Sequence, residues 1–492
     1  MTNSEIKPFF INSNLCVDAK DTSSLENFMS AVACNIGNSY PTWSLIKQLQ
    51  GGFVKPQHIQ NIFEYDFSKQ DKDIDIINNE CTHVFLILQD QIRIEKSYNR
   101  ILPYDNIINF IKRLNKPIIT LSLGANSYNN FDQVTGTLEV KDKFESDFHT
   151  KLDPELVNFL RKLSTYNEVM GIRGYYTQEI LSKLGINNTQ VIGCPSFYEM
   201  GRNRIVYKKP FSDNLKVLLA NQGNPLDNYS MLPLQHKYNY PAIIQDERKY
   251  LNVLFNENFD IDDFNKIETE NFFKKKYQCF SDIESWKQYV STFDFLYGMR
   301  IHGSIVALNS GIPSLIMAPD IKGREMAEFM KIPNHPQYIN ESNIEIIYNA
   351  CNYDEMNNCY PKLYDDYVGF LHKNGLTIFE EEPSIKYDYT EQPKLELYQN
   401  GELSGLINAN ILLSLKAEVA HIEAEAIRRE AEAFRRHEAL NSRFDELTLG
   451  QGLILKKIYE PTLLQKIFSI FTRVGARILK SLGVRIKGKR KN

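Results

Sequence analysis

Short apolar runs alternate with helical patterns along most of the first 380 residues. The runs CTHVFLILQD (81–90) and KPIITLSLG (116–124) predict strands, because they are short, continuously apolar and partly β-branched. The spacing of LVNFLRKLSTY (156–166) predicts a helix before the next strand pattern, EVMGIRG (168–174). Strands and helices that alternate in this way are typical of parallel sheets covered by helices.

A second series of the same kind follows a polar, basic and turn-rich segment, GRNRIVYKKPFSDN (201–214). LKVLLAN (215–221) and STFDFLYGM (291–299) predict strands, and SIVALNSG (304–311) predicts a helix. We therefore expect two α/β domains, residues 1–205 and 206–380. Ligands of such sheets usually bind beyond the carboxyl ends of the strands, in this case in a cleft between the domains.

The composition changes after residue 380. A linker is expected over 381–410, and the composition of residues 411–446, rich in Ala, Glu and Arg, predicts a long charged helix. Apolar residues in its first part keep a 3-4-3-4 spacing until Arg429, which predicts a short coiled-coil seam and a homo-oligomer. A solvated helix that packs on its own domain explains the same pattern.

The C-terminal segment 461–492 combines an apolar stripe with basic residues. Leu464, Phe468, Phe471, Val474 and Ile478 recur at three- and four-residue intervals, and the segment carries nine Lys or Arg and no Asp or Glu. A basic face beside a bulky apolar face predicts an amphipathic helix on an anionic membrane surface. Docking on the acidic remainder of the chain is the alternative.

Overall charge and cysteine usage narrow the class of protein. The 492 residues carry a formal net charge of −4, so the chain outside the basic tail is acidic, which argues against nucleic-acid binding. The seven cysteines form no C-x-x-C pair, the N-terminus lacks the order of a signal peptide, and no apolar run reaches membrane-spanning length. We expect a cytoplasmic protein, peripheral to the inner face of the cell membrane through its tail.

The stretch GMRIHGSIVALNSGIPSLIM (298–317) contains the first candidate site. If the preceding strand continues through Arg300 and His302, their side chains share one face. Gly303 and a helix start at Ser304 would leave backbone N–H groups pointing into the same space. This combination predicts an anion-binding site.

The stretch VMGIRGYYTQEILSKLG has a parallel arrangement in the first domain. Arg173 stands at a strand end between two glycines, and Thr177 could cap the helix that follows. Arg173 and Arg300, one from each domain, could converge on a single anionic ligand across the cleft. Each arginine could instead form a surface or structural salt bridge.

Two segments resemble the signature regions of the polysaccharide pyruvyl transferase family. GIRGYYTQEILSKLGINNTQVIGCPSF is similar to a region in which an arginine and a helix lead to a V-I-G-D-P turn, and YGMRIHGSIVALNSGIPSLIMAPDIKGREM is similar to an R-x-H-G helix that runs to G-x-P. NIGNSYPTWSLIKQL (35–49) resembles the family's N-terminal loop and first helix. The resemblance covers roughly residues 30–335.

The resemblance implies a GT-B-like fold of two Rossmann-like domains, here with a C-terminal helical extension. It also implies transfer of a pyruvyl group, usually as a ketal, from phosphoenolpyruvate to a sugar of a cell-surface polysaccharide or lipid-linked glycan, without a cofactor. By position, the implied substrate-binding residues are Arg173, Arg300, Ile301 through its backbone, His302, the adjacent Gly303 and Ser304, Gly37 and Asn38 of the N-terminal loop, and Asp320 and Lys322 of a D-x-K element.

The chemistry of phosphoenolpyruvate suits these residue types. Guanidinium groups bind phosphate and carboxylate with charge-assisted, often bidentate bonds. Ketal formation needs a proton on the enol methylene and the removal of protons from sugar hydroxyls, so His302 is the candidate acid and base. His302 could instead only bind phosphate or a buried carbonyl. The scheme requires no metal ion.

The sequence departs from the family pattern at two places, and these keep other functions open. Cys194 replaces the aspartate of the V-I-G-D-P turn, as a nucleophile or as a buried structural residue. Gln89-Asp90-Gln91 replaces a glycine-rich turn, which predicts a changed acceptor pocket and a better preserved donor site. The alternatives are a glycosyltransferase that uses a nucleotide sugar and a non-catalytic membrane-associated scaffold.

Overall fold

The computed structural model describes residues 6–12, 25–31, 35–49, 58–94, 102–126, 130–132, 137–139, 145–220, 232–245, 276–280, 283–318, 320–335, 341 and 343–378, all within the unit Met1–Ser414. The predicted linker (381–410), charged helix (411–446) and basic tail (461–492) lie outside these residues.

The first sheet is parallel and has the strand order β2-β1-β3-β4. Its strands are β1 (Pro8–Asn12), β2 (Ile59–Asn61), β3 (His83–Ile87) and β4 (Ile118–Leu121). An isolated bridge from Leu123 to Ile172 continues it to the parallel pair β7 (Met170–Ile172) and β8 (Thr189–Val191), whereas β5 (Asn130–Asp132) and β6 (Thr137–Glu139) form a separate antiparallel pair. The strand order reverses between β1 and β3, which is a topological switch point.

Helices connect the strands of this first lobe, which comprises β1 to β8. They are α1 (Leu25–Ala31), α2 (Tyr40–Gln48), α3 (Asp71–Glu80), α4 (Tyr104–Lys112), α5 (Pro154–Ser164) and α6 (Tyr175–Lys183). Helix α5 illustrates why these helices form where they do. At its start, Asp153 accepts a hydrogen bond from the Glu155 N–H at 2.9 Å, and a proline occupies the first turn. Its apolar residues from Leu156 to Leu163 have helical spacing, and all except Val157 are buried.

The second sheet is also parallel, with the order β11-β10-β9-β12-β13. Its strands are β9 (Val217–Ala220), β10 (Ala242–Ile243), β11 (Tyr277–Gln278), β12 (Phe295–Gly298) and β13 (Ser314–Ile316). The helices of this second lobe are α7 (Leu232–Tyr238), α8 (Ile283–Val290), α9 (Ile301–Asn309), α10 (Ile321–Met330), α11 (Ile344–Asn349) and α12 (Asp354–Lys373). Its strand order, 3-2-1-4-5 in chain order, is that of a Rossmann sheet, with the reversal between β9 and β12.

The last described helix, α12, returns to the first lobe. Tyr367 donates a hydrogen bond to Gln48 Oε1 at 2.6 Å, and the Gln190 amide donates to the Asp366 carbonyl at 2.8 Å. The expected α/β fold of two Rossmann-like lobes in a GT-B-like arrangement is confirmed.

Two local expectations were wrong. The strand β12 ends at Gly298, so it does not carry Arg300 and His302 on one face; Arg300 is the extended N-cap of α9 and His302 already lies in the helix. The helix begins there because the Ser304 N–H bonds to the Arg300 carbonyl at 3.2 Å, three residues before the expected start. Likewise Gly174, not Thr177, is the N-cap of α6.

Gly298, the last residue of β12, allows this strand to pack closely against β9 just before α9 begins. A Cβ atom at Gly298 would lie 2.5 Å from the Ala220 carbonyl oxygen, which is backbone and cannot move aside. We expect Gly298→Ala to lower the free energy of unfolding by about 1–3 kcal/mol, measured by urea denaturation. The matched control is Gly369→Ala in α12, where a Cβ meets nothing within 4 Å and should stabilise the helix by about 0.5–1 kcal/mol. Equal effects at the two positions would contradict this account.

Candidate functional site

A cleft lies at the carboxyl ends of both sheets. It is open to solvent on one side and lined mainly by polar and charged residues. The residues that line it are Asn35, Asn38, Asp90, Arg173, Gln245, Met299, Arg300, Ile301, His302, Asp320, Lys322 and Gly323. The two topological switch points therefore contribute to one space, since Asp90 follows β3 and Arg300 follows β12.

The second lobe contributes the N-terminus of α9. Arg300, Ile301 and His302 line the cleft at this helix end, where the helix dipole favours negative charge. Gly37 of the first lobe packs directly against it, because a Cβ there would lie 2.8 Å from His302 Nδ1 and 2.7 Å from Gln245 Oε1. A side chain at residue 37 would displace the imidazole.

The first lobe contributes Arg173, which follows β7 and is only 2% exposed. Its guanidinium donates a hydrogen bond to the side-chain carbonyl of Gln89, and its Nε is buried without a hydrogen-bond partner among the described residues. No carboxylate of the described residues forms an ion pair with it. This buried guanidinium lines the cleft with an unpaired Nε–H, which an anionic ligand would satisfy.

Lys322 links the two lobes across the cleft. Its Nζ lies 3.0 Å from Asp90 Oδ2 of the first lobe and 3.5 Å from Asp320 Oδ2 of its own lobe. Asp320 also caps α10 by accepting from the Gly323 N–H at 2.8 Å. Burial opposes ionisation of Asp90, but Lys322, Arg93 and Arg173 together hold its pKa well below the usual range, so it is an anion at neutral pH.

His302 is neutral at neutral pH. Burial lowers its pKa well below the ordinary value, and the positive charges of Arg173, Lys322 and Arg300 lower it further, against the opposite effect of Asp90. Its Nε2 lies 3.8 Å from the Cys194 sulfur, which in turn lies 2.8 Å from Ser196 Oγ. Burial raises the pKa of the Cys194 thiol, so it is a protonated buried group and not an activated nucleophile.

Glu325 of α10 holds the helix that follows Arg173. Its carboxylate accepts hydrogen bonds from the Thr177 N–H at 3.0 Å and the Thr177 hydroxyl at 2.6 Å, and that hydroxyl accepts from the Ala125 N–H at 2.8 Å. A carboxylate of the second lobe thus satisfies the first turn of α6 in the first lobe. Burial raises the Glu325 pKa to about 7, although the Thr177 bonds and Arg173 oppose the shift.

Most of the predicted residues meet in this cleft. Arg173, Arg300, Ile301, His302, Asn38, Asp320 and Lys322 line it, whereas Gly37 and Gly303 pack behind the lining and Ser304 is buried within α9. The predicted site residues did not include Asn35, Gln245, Met299 and Gly323, nor Asp90, which was noted only as part of a turn that departs from the family pattern. Asp90 lies three residues beyond the end of β3 and Gln245 two residues beyond the end of β10, so the rule that ligands bind beyond strand ends could have identified them.

Two features are absent from the described part of the chain, a metal-binding cluster and a membrane-spanning helix. Within it, no three His, Cys, Asp or Glu side chains are grouped closely enough to bind a metal ion. None of its helices has both the length and the apolar character that a bilayer span requires.

The Glu325 pKa predicts a pH-dependent stability. Because the value of about 7 lies above the ordinary 4.5, its contribution to stability is complete below pH 4.5 and is lost as the pH rises to about 7. Relative to Glu325→Gln, the free energy of unfolding of the wild type should fall over this range by up to about 1.4 kcal/mol per pH unit. Urea unfolding of both proteins between pH 5 and 8 measures the difference. A constant difference would disprove the raised pKa.

Solved structures of similar fold share little sequence with the chain. Anabaena HepE in complex with UDP and glucose has 10% identity and a TM-score of 0.33, covering 75% of this chain and 95% of that one. The Methanocaldococcus jannaschii UDP-GlcNAc 2-epimerase, in complex with UDP-GlcNAc and UDP, has 10% identity and a TM-score of 0.33, covering 84% and 100%. A variant of the wall teichoic acid polymerase TagF has 9% identity and a TM-score of 0.28, covering 86% and 90%.

Family assignment comes from the sequence. No curated protein matches the chain. The family model described as polysaccharide pyruvyl transferase matches residues 35–321, which is more than half of the chain and includes Arg173, Arg300 and His302. The chain therefore belongs to the polysaccharide pyruvyl transferase family.

Proposed function

We propose that this protein transfers a pyruvyl group from phosphoenolpyruvate to a sugar of a cell-surface polysaccharide or lipid-linked glycan. The observation that carries the proposal is the convergence of Arg173 and Arg300, from different lobes, on one cleft beside His302. Membership of the polysaccharide pyruvyl transferase family supports a transferase that modifies polysaccharides.

The charges of the cleft suit a small molecule with two anionic groups. Arg173, Arg300 and Lys322 supply positive charge from opposite sides, and the N-terminus of α9 adds free N–H groups. Phosphoenolpyruvate carries a phosphate and a carboxylate on adjacent positions, so one group can bind each arginine. The bound anion would accept a hydrogen bond from the buried, unpaired Nε–H of Arg173.

The proposed reaction has a simple balance. The methylene carbon gains a proton, which places positive charge on the adjacent carbon, and one sugar hydroxyl oxygen bonds to that carbon. The bond from this carbon to the phosphate oxygen breaks, and a second sugar hydroxyl closes the ketal. Of the two hydroxyl protons lost, one matches the proton gained by the methyl group and the other leaves with hydrogen phosphate.

His302 is the proposed acid and base of this reaction. As a neutral imidazole it can accept a proton from a sugar hydroxyl. Binding of an anionic donor would offset the charges of Arg173, Arg300 and Lys322, which lower the His302 pKa in the free protein. Donor binding therefore favours the protonated imidazole that can protonate the methylene carbon.

Two measurements test this function. Phosphoenolpyruvate, but not UDP-glucose, should raise the melting temperature. Incubation with phosphoenolpyruvate and a panel of lipid-linked sugars should release phosphate and add a pyruvyl ketal to one product, seen by mass.

His302→Gln should reduce turnover by about 10²- to 10⁴-fold with donor affinity retained, whereas His372→Gln, at an exposed position of α12, should leave both unchanged.

The other outcomes identify other functions. A melting shift with the nucleotide sugar alone would indicate a glycosyltransferase. No shift with either compound would indicate a scaffold without catalysis. Equal turnover of His302→Gln and the wild type would remove His302 from the mechanism.

We also propose a cytoplasmic location at the membrane, on the sequence pattern of residues 461–492, and pairing of copies through 411–446. The nine basic residues of the tail should attract anionic lipid. The full chain should co-sediment with vesicles of anionic phospholipid at low salt, and a chain ending at residue 460 should stay in the supernatant. Co-sedimentation of both chains to the same extent would exclude the tail as the anchor.

A further inference from the structure

Gln89 occupies an unusual backbone position at the switch point of the first sheet. It lies two residues beyond β3 with a φ of 56°, in the left-handed region that a glycine adopts without strain. Its side chain is 6% exposed. A non-glycine residue persists in this region only where its surroundings hold it there, and such positions are common at functional sites.

The Gln89 side chain joins three segments of the first lobe. Its carbonyl oxygen accepts a hydrogen bond from the Arg173 guanidinium, and its NH₂ group donates to Asn12 Oδ1 at 3.3 Å and to the Asn38 carbonyl at 3.4 Å. Asn12 also donates to the Asn38 carbonyl at 2.6 Å and to Thr42 at 2.8 Å. The amide of Gln89 is therefore fixed, with its acceptor toward Arg173.

The aliphatic stem of Arg173 lies against Gly124, which follows β4 and is hydrogen-bonded to Gln89. A Cβ at Gly124 would lie 2.8 Å from Arg173 Cδ, so the arginine side chain passes directly over this glycine. The Gly124 N–H in turn donates to the Gln89 carbonyl at 2.7 Å. The segment after β4 thus contacts the stem of Arg173, and the turn after β3, which is bonded to that segment, contacts its guanidinium.

We infer that Gln89 is a positioning residue that aims Arg173 into the cleft while leaving its positive charge available to an anionic ligand. The inference rests on the proposed function, in which that ligand is phosphoenolpyruvate. A neutral amide orients the guanidinium without neutralising it, whereas a carboxylate at the same place would form a buried ion pair and compete with the ligand. Unlike a carboxylate, an amide also donates hydrogen bonds to Asn12 and Asn38.

Two substitutions at residue 89 and one control test the inference. Gln89→Gly removes the side chain, and glycine adopts the positive φ of this position without strain. Gln89→Glu keeps the shape of the side chain but places a negative charge beside Arg173. It also replaces the NH₂ donor by an acceptor oxygen that faces the acceptors of Asn12 and Asn38. Ser122→Gly is the control, because Ser122 follows β4 with the same φ of 56° and is buried but does not line the cleft. Affinities for phosphoenolpyruvate and for inorganic phosphate are measured by calorimetry, well below the melting temperature of each protein.

Gln89→Gly should weaken phosphoenolpyruvate binding by about tenfold, the usual effect of losing a hydrogen bond to a charged group, and Gln89→Glu should weaken it more. Ser122→Gly should bind like the wild type. Wild-type affinity in Gln89→Gly would overturn the inference, whatever its melting temperature, because a purely structural role changes stability alone.

The experiment separates this inference from the proposed function. If the wild type binds inorganic phosphate but not phosphoenolpyruvate, the proposed donor is wrong, and the phosphate affinities of the same variants decide the role of Gln89. If the wild type binds neither anion, both proposals fail.

Discussion

Like charges brought together in a buried place are the constraint on which this cleft depends. Arg173, Arg300 and Lys322 come from three separate segments of chain and line one space. Their mutual repulsion and loss of hydration would favour an open arrangement. Asp90 offsets part of this cost through Lys322, and it does so from the opposite lobe. The positive charge that remains suits an anionic ligand.

Several contacts between the lobes hold this arrangement. Glu325 of the second lobe satisfies the start of α6 in the first. Glu199 accepts hydrogen bonds from Lys287 and from the Tyr40 hydroxyl. The same hydroxyl accepts a hydrogen bond from the Asn309 side chain at 2.8 Å. These contacts are polar, buried and directional, so they fix the orientation of the lobes more specifically than apolar packing would. The positions of Arg173 and Arg300 relative to each other depend on them.

The departures from the family pattern also become understandable in physical terms. Cys194 puts an un-ionised thiol near His302 where an aspartate is expected, so no carboxylate at that position raises the pKa of the imidazole. Gln89 fills the turn where glycines are expected and uses the space to hold Arg173. Gln89 thus changes how Arg173 is held, and Cys194 removes a negative charge from beside His302.

The sequence by itself determined the two parallel sheets and the helices between them, because apolar periodicity is local. Strand ends in parallel sheets have a known relation to ligands, which pointed to Arg173, Arg300 and His302, whereas Ile301, Asn38, Asp320 and Lys322 came from the resemblance to the polysaccharide pyruvyl transferase family. The sequence could not determine that β12 stops at Gly298, since that depends on the approach of Ala220 from a distant strand. Nor could it place Asp90 against Lys322, or Glu325 against Thr177, because these pairs are 232 and 148 residues apart along the chain. Only the tertiary structure decided them, since charge balance and hydrogen bonding in a buried cleft depend on distances that no local pattern encodes.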